Sequence, residues 1–255
     1  MIKKDISYAT RSKQQNLLDI IYDPGMHGRP VIFFIHGGSW MSGSKNMYTK
    51  LGEHLSEKGF VTVLISYRLF PQTDAFGMSD DCRDALSWCK QNISQFGGDP
   101  NKIILMGHSA GGHLAAVTGL SADRPRDHIA GFILIDAFGL SAFHFLTEYG
   151  IMVPEFFAEI FGKQKDKWPL VSPDKLMKED LPPFLILTGG GTSPFLAFDN
   201  ENFVNLLKKY KVDITHKILP AFSHMQMIYQ FEEKNATVYD DIINWINSVA
   251  TPGKK

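Results

Sequence analysis

Cysteine is nearly missing from this chain. Its two thiols, Cys82 and Cys89, stand seven residues apart in a stretch with helical spacing. Seven residues rise about 10 Å, beyond the reach of a disulfide. A disulfide framework is excluded, and buried thiols in a reduced, cytoplasmic protein are expected. A surplus of charge is missing as well. The 26 Lys and Arg against 27 Asp and Glu leave a net charge of −1, and the basic residues are scattered rather than striped. This argues against nucleic acid or an anionic membrane surface as the main partner. Long apolar runs are also absent: "VIFFI" and "GFILI" are strand-sized, so no membrane span is expected. The basic start "MIKKDISYATRSK" has no apolar core of a signal peptide. No repeat and no Pro- or Gly/Ser-rich linker divides the sequence, so residues 1–255 read as one domain. Cys and His show no ligand spacing, and no glycine loop has the phosphate-binding form; neither metal nor organic cofactor is expected.

What is present is alternation. Buried-strand patterns occur at 31–36, 61–67, 102–108, 128–136, 183–189 and 212–220, with helical patterns at 46–59, 78–96, 110–122, near 199–210 and near 225–249. This rhythm predicts an α/β fold: a mostly parallel sheet with helices on both faces. Segments 5–10 and 16–22 read as antiparallel edge strands, and acidic residues are expected in the first turn of the 78–96 helix, where the dipole favours them. Residues 138–181 break the rhythm with Phe138, Phe143, Phe145, Phe156, Phe157, Phe161 and Trp168. Such an aromatic excursion predicts a helical lid insertion, or a helical pair packed on the core.

Two stretches carry chemistry. In "ILMGHSAGGHLAA" (104–116), Gly107-His108-Ser109-Ala110-Gly111 forms the G-x-S-x-G nucleophile turn between an apolar strand and a helix. Its neighbours must be small because a strained strand-to-helix turn leaves no room beside the serine. Ser109 is the candidate nucleophile, and the Ala110 amide can face a developing oxyanion. In "FFIHGGSWMSGS" (33–44), His36-Gly37-Gly38-Ser39 matches the HGGG-type loop that supplies further oxyanion donors, chiefly the amides of Gly38 and Ser39. His36 reads as structural, bonding backbone to hold the loop. Trp40 lines the substrate pocket or packs the core.

With both motifs in order, the chain resembles the α/β-hydrolase-fold esterases of the hormone-sensitive-lipase type. Within them it is similar to feruloyl-esterase-like and kynurenine-formamidase-like enzymes. "HGGSW", "ISYRL", "FGGDPNKIILMGHSAGGHLAA" and "VSP" carry the likeness, over residues 17 to 247. The resemblance implies Ser109 as nucleophile, Gly37, Gly38, Ser39 and Ala110 as the oxyanion hole, and His224 in "LPAFSHMQM" as the base. His108 and His113 flank the turn, with His108 expected to point away from the serine. The remaining histidines have no motif context.

The resemblance also calls for a carboxylate in the loop after "PFLILTG", and counting from Gly189 reaches Thr192. Four readings stand. Asp199 or Glu201 folds back to His224, although Asp199 also reads as the N-cap of the next helix. Asp136 ends "GFILID", where some α/β-hydrolases place their acid, although a structural role is the preferred reading. The Thr192 hydroxyl orients His224 from the pocket. Or catalysis is lost and the pocket binds a small molecule. The function expected is hydrolysis of small carboxylic esters through an acyl-enzyme, with aryl-formamide or amide hydrolysis as the alternative. The sequence leaves a homo-oligomer open.

Overall fold

The computed structural model describes residues 1–122, 129–148 and 155–250. Eight strands form one sheet: β1 (Ile2–Ser7), β2 (Leu17–Ile21), β3 (Arg29–Ile35), β4 (Val61–Ile65), β5 (Gly98–His108), β6 (Gly131–Ile135), β7 (Phe184–Gly189) and β8 (Ile214–Leu219). Their order is β1-β2-β4-β3-β5-β6-β7-β8. β1 and β2 pair antiparallel at one edge, and β2 is antiparallel to β4. Every other pairing is parallel.

Continuous apolar strands need cover on both faces, and here they have it. Val31, Phe33 and Ile35 point into one core with Met78, Cys82 and Cys89 of α2 (Ala75–Asn92), Leu114 of α3 (Ala110–Leu120) and Phe203 of α6 (Pro194–Lys209). Ile32 and Phe34 point into the other with Leu51 and Leu55 of α1 (Thr49–Glu57) and Ile242 and Trp245 of α8 (Thr237–Ala250). Between β6 and β7 lie α4 (Ala142–Glu148), α5 (Glu155–Ile160) and two 3-10 stretches. Trp168 and Phe161 of this insertion are buried against the first core. The expectation of a helical insertion packed on the core at 138–181 is thus met within its described part; residues 149–154 lie outside the described residues, as does His128 at the start of the expected fourth strand.

Several boundaries differ from expectation. The first strand is Ile2–Ser7, not 5–10. Helix α2 starts at Ala75 on an Asp74 cap, whose side chain accepts from the Gly77 amide at 3.0 Å, so its first turn holds no acidic residue. The C-terminal helix divides into α7 (Gln226–Tyr229), a 3-10 turn and α8. Asp199 is not a helix cap. Helix α6 starts five residues earlier, with Pro194 in the first turn and Ser193 Oγ accepting from the Leu196 amide. Among the described residues, no helix is long and apolar enough to cross a membrane.

Candidate active site

The parallel strands deliver three loops to one end of the sheet. After β5 the chain turns into α3 through Ser109, at φ 55° and ψ −126°. The turn is possible only with glycine on either side. A Cβ on Gly107 would lie 2.3 Å from the Gly111 carbonyl oxygen, and one on Gly111 would lie 2.1 Å from that of Ile35. Ser109 is also pinned by its backbone: its amide donates to Ile135 at 3.1 Å, and its carbonyl accepts from Phe138 at 3.2 Å. Adjacent strand ends, β5 and β6, are thereby joined.

After β6 comes Asp136, fully buried and at φ 44°. Its amide donates to Leu187 at 2.7 Å, and its Oδ1 accepts from the Gly189 amide at 3.0 Å. Oδ2 is left facing His224 Nδ1 at 2.8 Å, and His224 Nε2 lies 3.0 Å from Ser109 Oγ. A carboxylate accepts only, so Nδ1 carries the proton and Nε2 is free to accept from the serine hydroxyl. Of seven non-glycine residues with positive φ among those described, four are Ser39, Trp40, Ser109 and Asp136. Backbone strain is thus concentrated at this end of the sheet.

The loop after β3 lies against the serine: a Cβ on Gly37 would sit 3.2 Å from Ser109 Cβ. Two of its peptides are held by their carbonyls. His36 Nδ1 donates to the Gly37 carbonyl at 2.7 Å, and the Gly38 carbonyl accepts from the amides of Met41 and Ser42, each at 3.0 Å. A trans peptide points its N–H opposite its C=O, so the amides of Gly38 and Ser39 turn away from those anchors. Among the described residues neither amide, nor that of Ala110, has a protein acceptor. Gly38 itself sits at φ 122° with Ser42 only 2.1 Å from where a Cβ would be. His36 is buried between the rings of Tyr67 and Tyr48, and burial holds it down to about 4. The structural reading of His36 agrees with this geometry.

Three expectations for side chains need correction. The carboxylate on His224 is Asp136, not Asp199. Asp199 is turned toward the insertion: its Oδ2 accepts from the amides of Gly139 and Leu140 at 3.0 and 2.9 Å, and its Oδ1 from Ser141 at 3.0 Å. Burial raises its pKa while these three bonds lower it. Asn200 completes the hold, donating to the Ala137 carbonyl at 2.7 Å. Thr192 does not orient His224; its Oγ1 is buried with no hydrogen-bond partner. The His108 ring stacks on that of His224. Glu201 lies near His216, at 3.8 Å, rather than His224.

Trp40 is 1% exposed and packs against Phe138, Phe157 and Phe161. Its Nε1 donates to His113 Nδ1 at 3.2 Å, and His113 Nε2 donates to the Val171 carbonyl at 2.7 Å. His113 therefore ties the loop after β3 to the insertion, a contact that nothing in its sequence context signalled. Core packing is the role the structure gives Trp40. Among the described residues, no three or more His, Cys, Asp or Glu side chains are grouped to hold a metal ion.

Comparison with known proteins gives this geometry a family. The chain is 31% identical over 239 residues to the probable carboxylic ester hydrolase LipM of Mycobacterium tuberculosis, covering 86% of this chain and 55% of that protein. It is 39% identical over 116 residues to the isoprenylcysteine alpha-carbonyl methylesterase ICME of Arabidopsis thaliana, covering 45% of this chain and 27% of that one. The match therefore spans from about a quarter to about half the length of these relatives. Among solved structures, the hyperthermophilic esterase of Pyrobaculum calidifontis superposes with a TM-score of 0.79 at 26% identity, over 98% of this chain and 86% of that one. Esterase B of Lactobacillus rhamnosis shares the fold, with a TM-score of 0.84 at 19% identity, over 98% of this chain and 86% of that one. The BD-FAE family model matches residues 18–193, and the chain belongs to that family of α/β-hydrolase-fold proteins.

Proposed function

We propose that this protein is a serine hydrolase that cleaves small carboxylic esters through an acyl-enzyme. The observation that carries the reading is the unbroken line from Asp136 Oδ2 through His224 to Ser109 Oγ, at 2.8 and 3.0 Å. Ser109 Oγ attacks the ester carbonyl carbon while its proton passes to His224 Nε2. Asp136 holds the ring in the Nδ1–H tautomer and stabilises the imidazolium. The negative oxygen of the tetrahedral intermediate is taken up by the amides of Gly38, Ser39 and Ala110. Collapse breaks the bond to the alkoxy oxygen, which leaves as the alcohol with the proton from Nε2. Water then attacks the acyl-Ser109 carbonyl, His224 takes its proton, and the second collapse returns it to Ser109 as the carboxylic acid departs.

The names of the relatives, a methylesterase and a carboxylic ester hydrolase among them, support ester over amide substrates. Phe138 donates its amide to the Ser109 carbonyl, and its ring clusters with those of Phe145 and Phe195 at pairwise distances of 4.7–5.9 Å; this apolar cluster next to the serine supports an apolar acyl or aryl group. A reduced, cytoplasmic setting belongs to the same proposal and is supported by the burial of both free thiols, Cys82 and Cys89. A fluorophosphonate probe should label Ser109 in the folded protein and leave Ser109→Ala unlabelled. Absence of labelling would overturn the catalytic reading. Turnover of short-chain aryl esters should exceed that of aryl formamides; a formamide preference of about tenfold, some 1.4 kcal/mol, would overturn the ester assignment.

A further inference from the structure

The residue between Gly107 and Ser109 belongs neither to the proton line nor to the oxyanion loop, yet it touches both. His108 is 3% exposed. Its Nε2 lies 3.0 Å from the carbonyl oxygen of His224. A carbonyl only accepts, so Nε2 carries the proton and Nδ1 is bare. The His108 ring also stacks on the His224 ring, with centroids 4.7 Å apart and planes at 30°. A Cβ on Gly37 would also come within 3.2 Å of His108 Nδ1. One side chain therefore bridges the two loops that flank the nucleophile.

The base needs such a support. His224 stands on a loop between β8 and α7, and its side chain is 29% exposed. One hydrogen bond from Nδ1 to Asp136 fixes a distance but leaves the ring able to tilt about that bond. Proton transfer requires Nε2 to stay within about 3 Å of Ser109 Oγ, and misplacement by about 1 Å can cost about 100-fold in rate. We infer that His108 is a positioning residue: its Nε2–H holds the His224 backbone and through it keeps the base aimed at Ser109. Neutrality suits this place. His224 and Asp136 are the charged or chargeable groups acting on it, and burial, reinforced by His224, holds His108 down to about 4. When His224 gains the serine proton it therefore meets a neutral π face, which attracts a cation.

The inference rests on the reading of Ser109 and His224 as the acylating pair, and the test separates the two. Wild type, His108→Gln and His108→Phe are compared for ester turnover, for the rate of fluorophosphonate labelling and for thermal unfolding. Gln can keep a donor near the Nε2 position; Phe keeps the ring face and loses the donor. His108→Phe is expected to lose about 10- to 100-fold in kcat, with KM within about twofold and labelling slowed in parallel. His108→Gln is expected to recover most of that loss. Wild-type kcat and labelling in His108→Phe, a change confined to KM, or equal impairment of both variants would overturn the inference. Should His108→Phe not fold, His108→Leu, which also lacks the donor, stands in for it with the same expectations. A wild type that the probe does not label would instead overturn the underlying reading.

Discussion

Asp136→Asn keeps the size of the side chain at His224 and removes its charge. The Asn oxygen can still accept from the Gly189 amide, which leaves the NH2 group facing Nδ1. That face then favours the tautomer with the proton on Nε2, which cannot accept from Ser109. We predict a fall of about 10⁴-fold in kcat, measured on short-chain esters with thermal unfolding as the check on folding. Thr192→Asp is expected to leave kcat unchanged or lower. Nδ1 already has its carboxylate, and the Thr192 hydroxyl sits buried without a partner, so a charge there is desolvated with no hydrogen bond to offset the cost. A rise in kcat would show that Asp136 does not serve the base. Both residues were visible in the sequence. Asp136 closes an apolar strand, and a carboxylate at the end of a buried strand must be paired somewhere. Its partner was hidden because His224 comes 88 residues later and only the sheet order brings them together.

Helix α6 shows how an element can mislead. Asp199 looked like a cap because Asp is favoured at caps, yet "SP" at 193–194 is the stronger start signal: a hydroxyl to accept and a proline pre-set for the first turn. Moving the start back by five residues puts Asp199 and Asn200 on the buried face, where they hold residues 137–141 immediately after Asp136. Asp199→Ala strands three amides and should destabilise the fold by about 3 kcal/mol, read from the denaturant midpoint. Ser193→Ala should cost about 1 kcal/mol by the same measurement, since it removes one cap bond at an exposed end. Equal losses would mean that the clamp contributes no more than a cap. The strands of the parallel sheet and the glycine turn around Ser109 were legible because their patterns are local and steric. Helix starts and the single long expected C-terminal helix were less so, because packing rather than propensity sets where they stop.

Across the molecule, three imidazoles among the described residues are buried neutral: His36, His108 and His113, each held down to about 4 chiefly by burial. An unfolded histidine titrates near about 6.5. Their folded values are lower, so the unfolded chain binds more protons between these limits. The stability that comes from keeping them neutral is complete above about pH 6.5 and is lost progressively as pH falls toward about 4. Asp199, raised by burial, acts in the opposite sense at the acid end. A series of denaturant midpoints from pH 7.5 to 4.5 should fall with decreasing pH, steepest where all three take up protons on unfolding. A flat series would contradict the neutral assignment. His36, His108 and His113 lie in or beside the loop after β3 and the serine turn, so acid should act there first.

The glycine loop after β7 has a further consequence. Because the partner of His224 comes from the end of β6, residues 189–192 are not bound to a charged duty. Gly189 and Gly190 are still fixed, since a Cβ on either would press within 2.5–2.6 Å of the backbone of Phe222 or Pro220. Gly191 has ordinary contact distances of 3.5–3.6 Å around it. Position 191 is therefore a tolerant border beside a fixed reaction centre. Variation there can reshape what approaches the serine without rebuilding the apparatus that activates it, which makes this short border a natural place for substrate range to diverge or to be engineered.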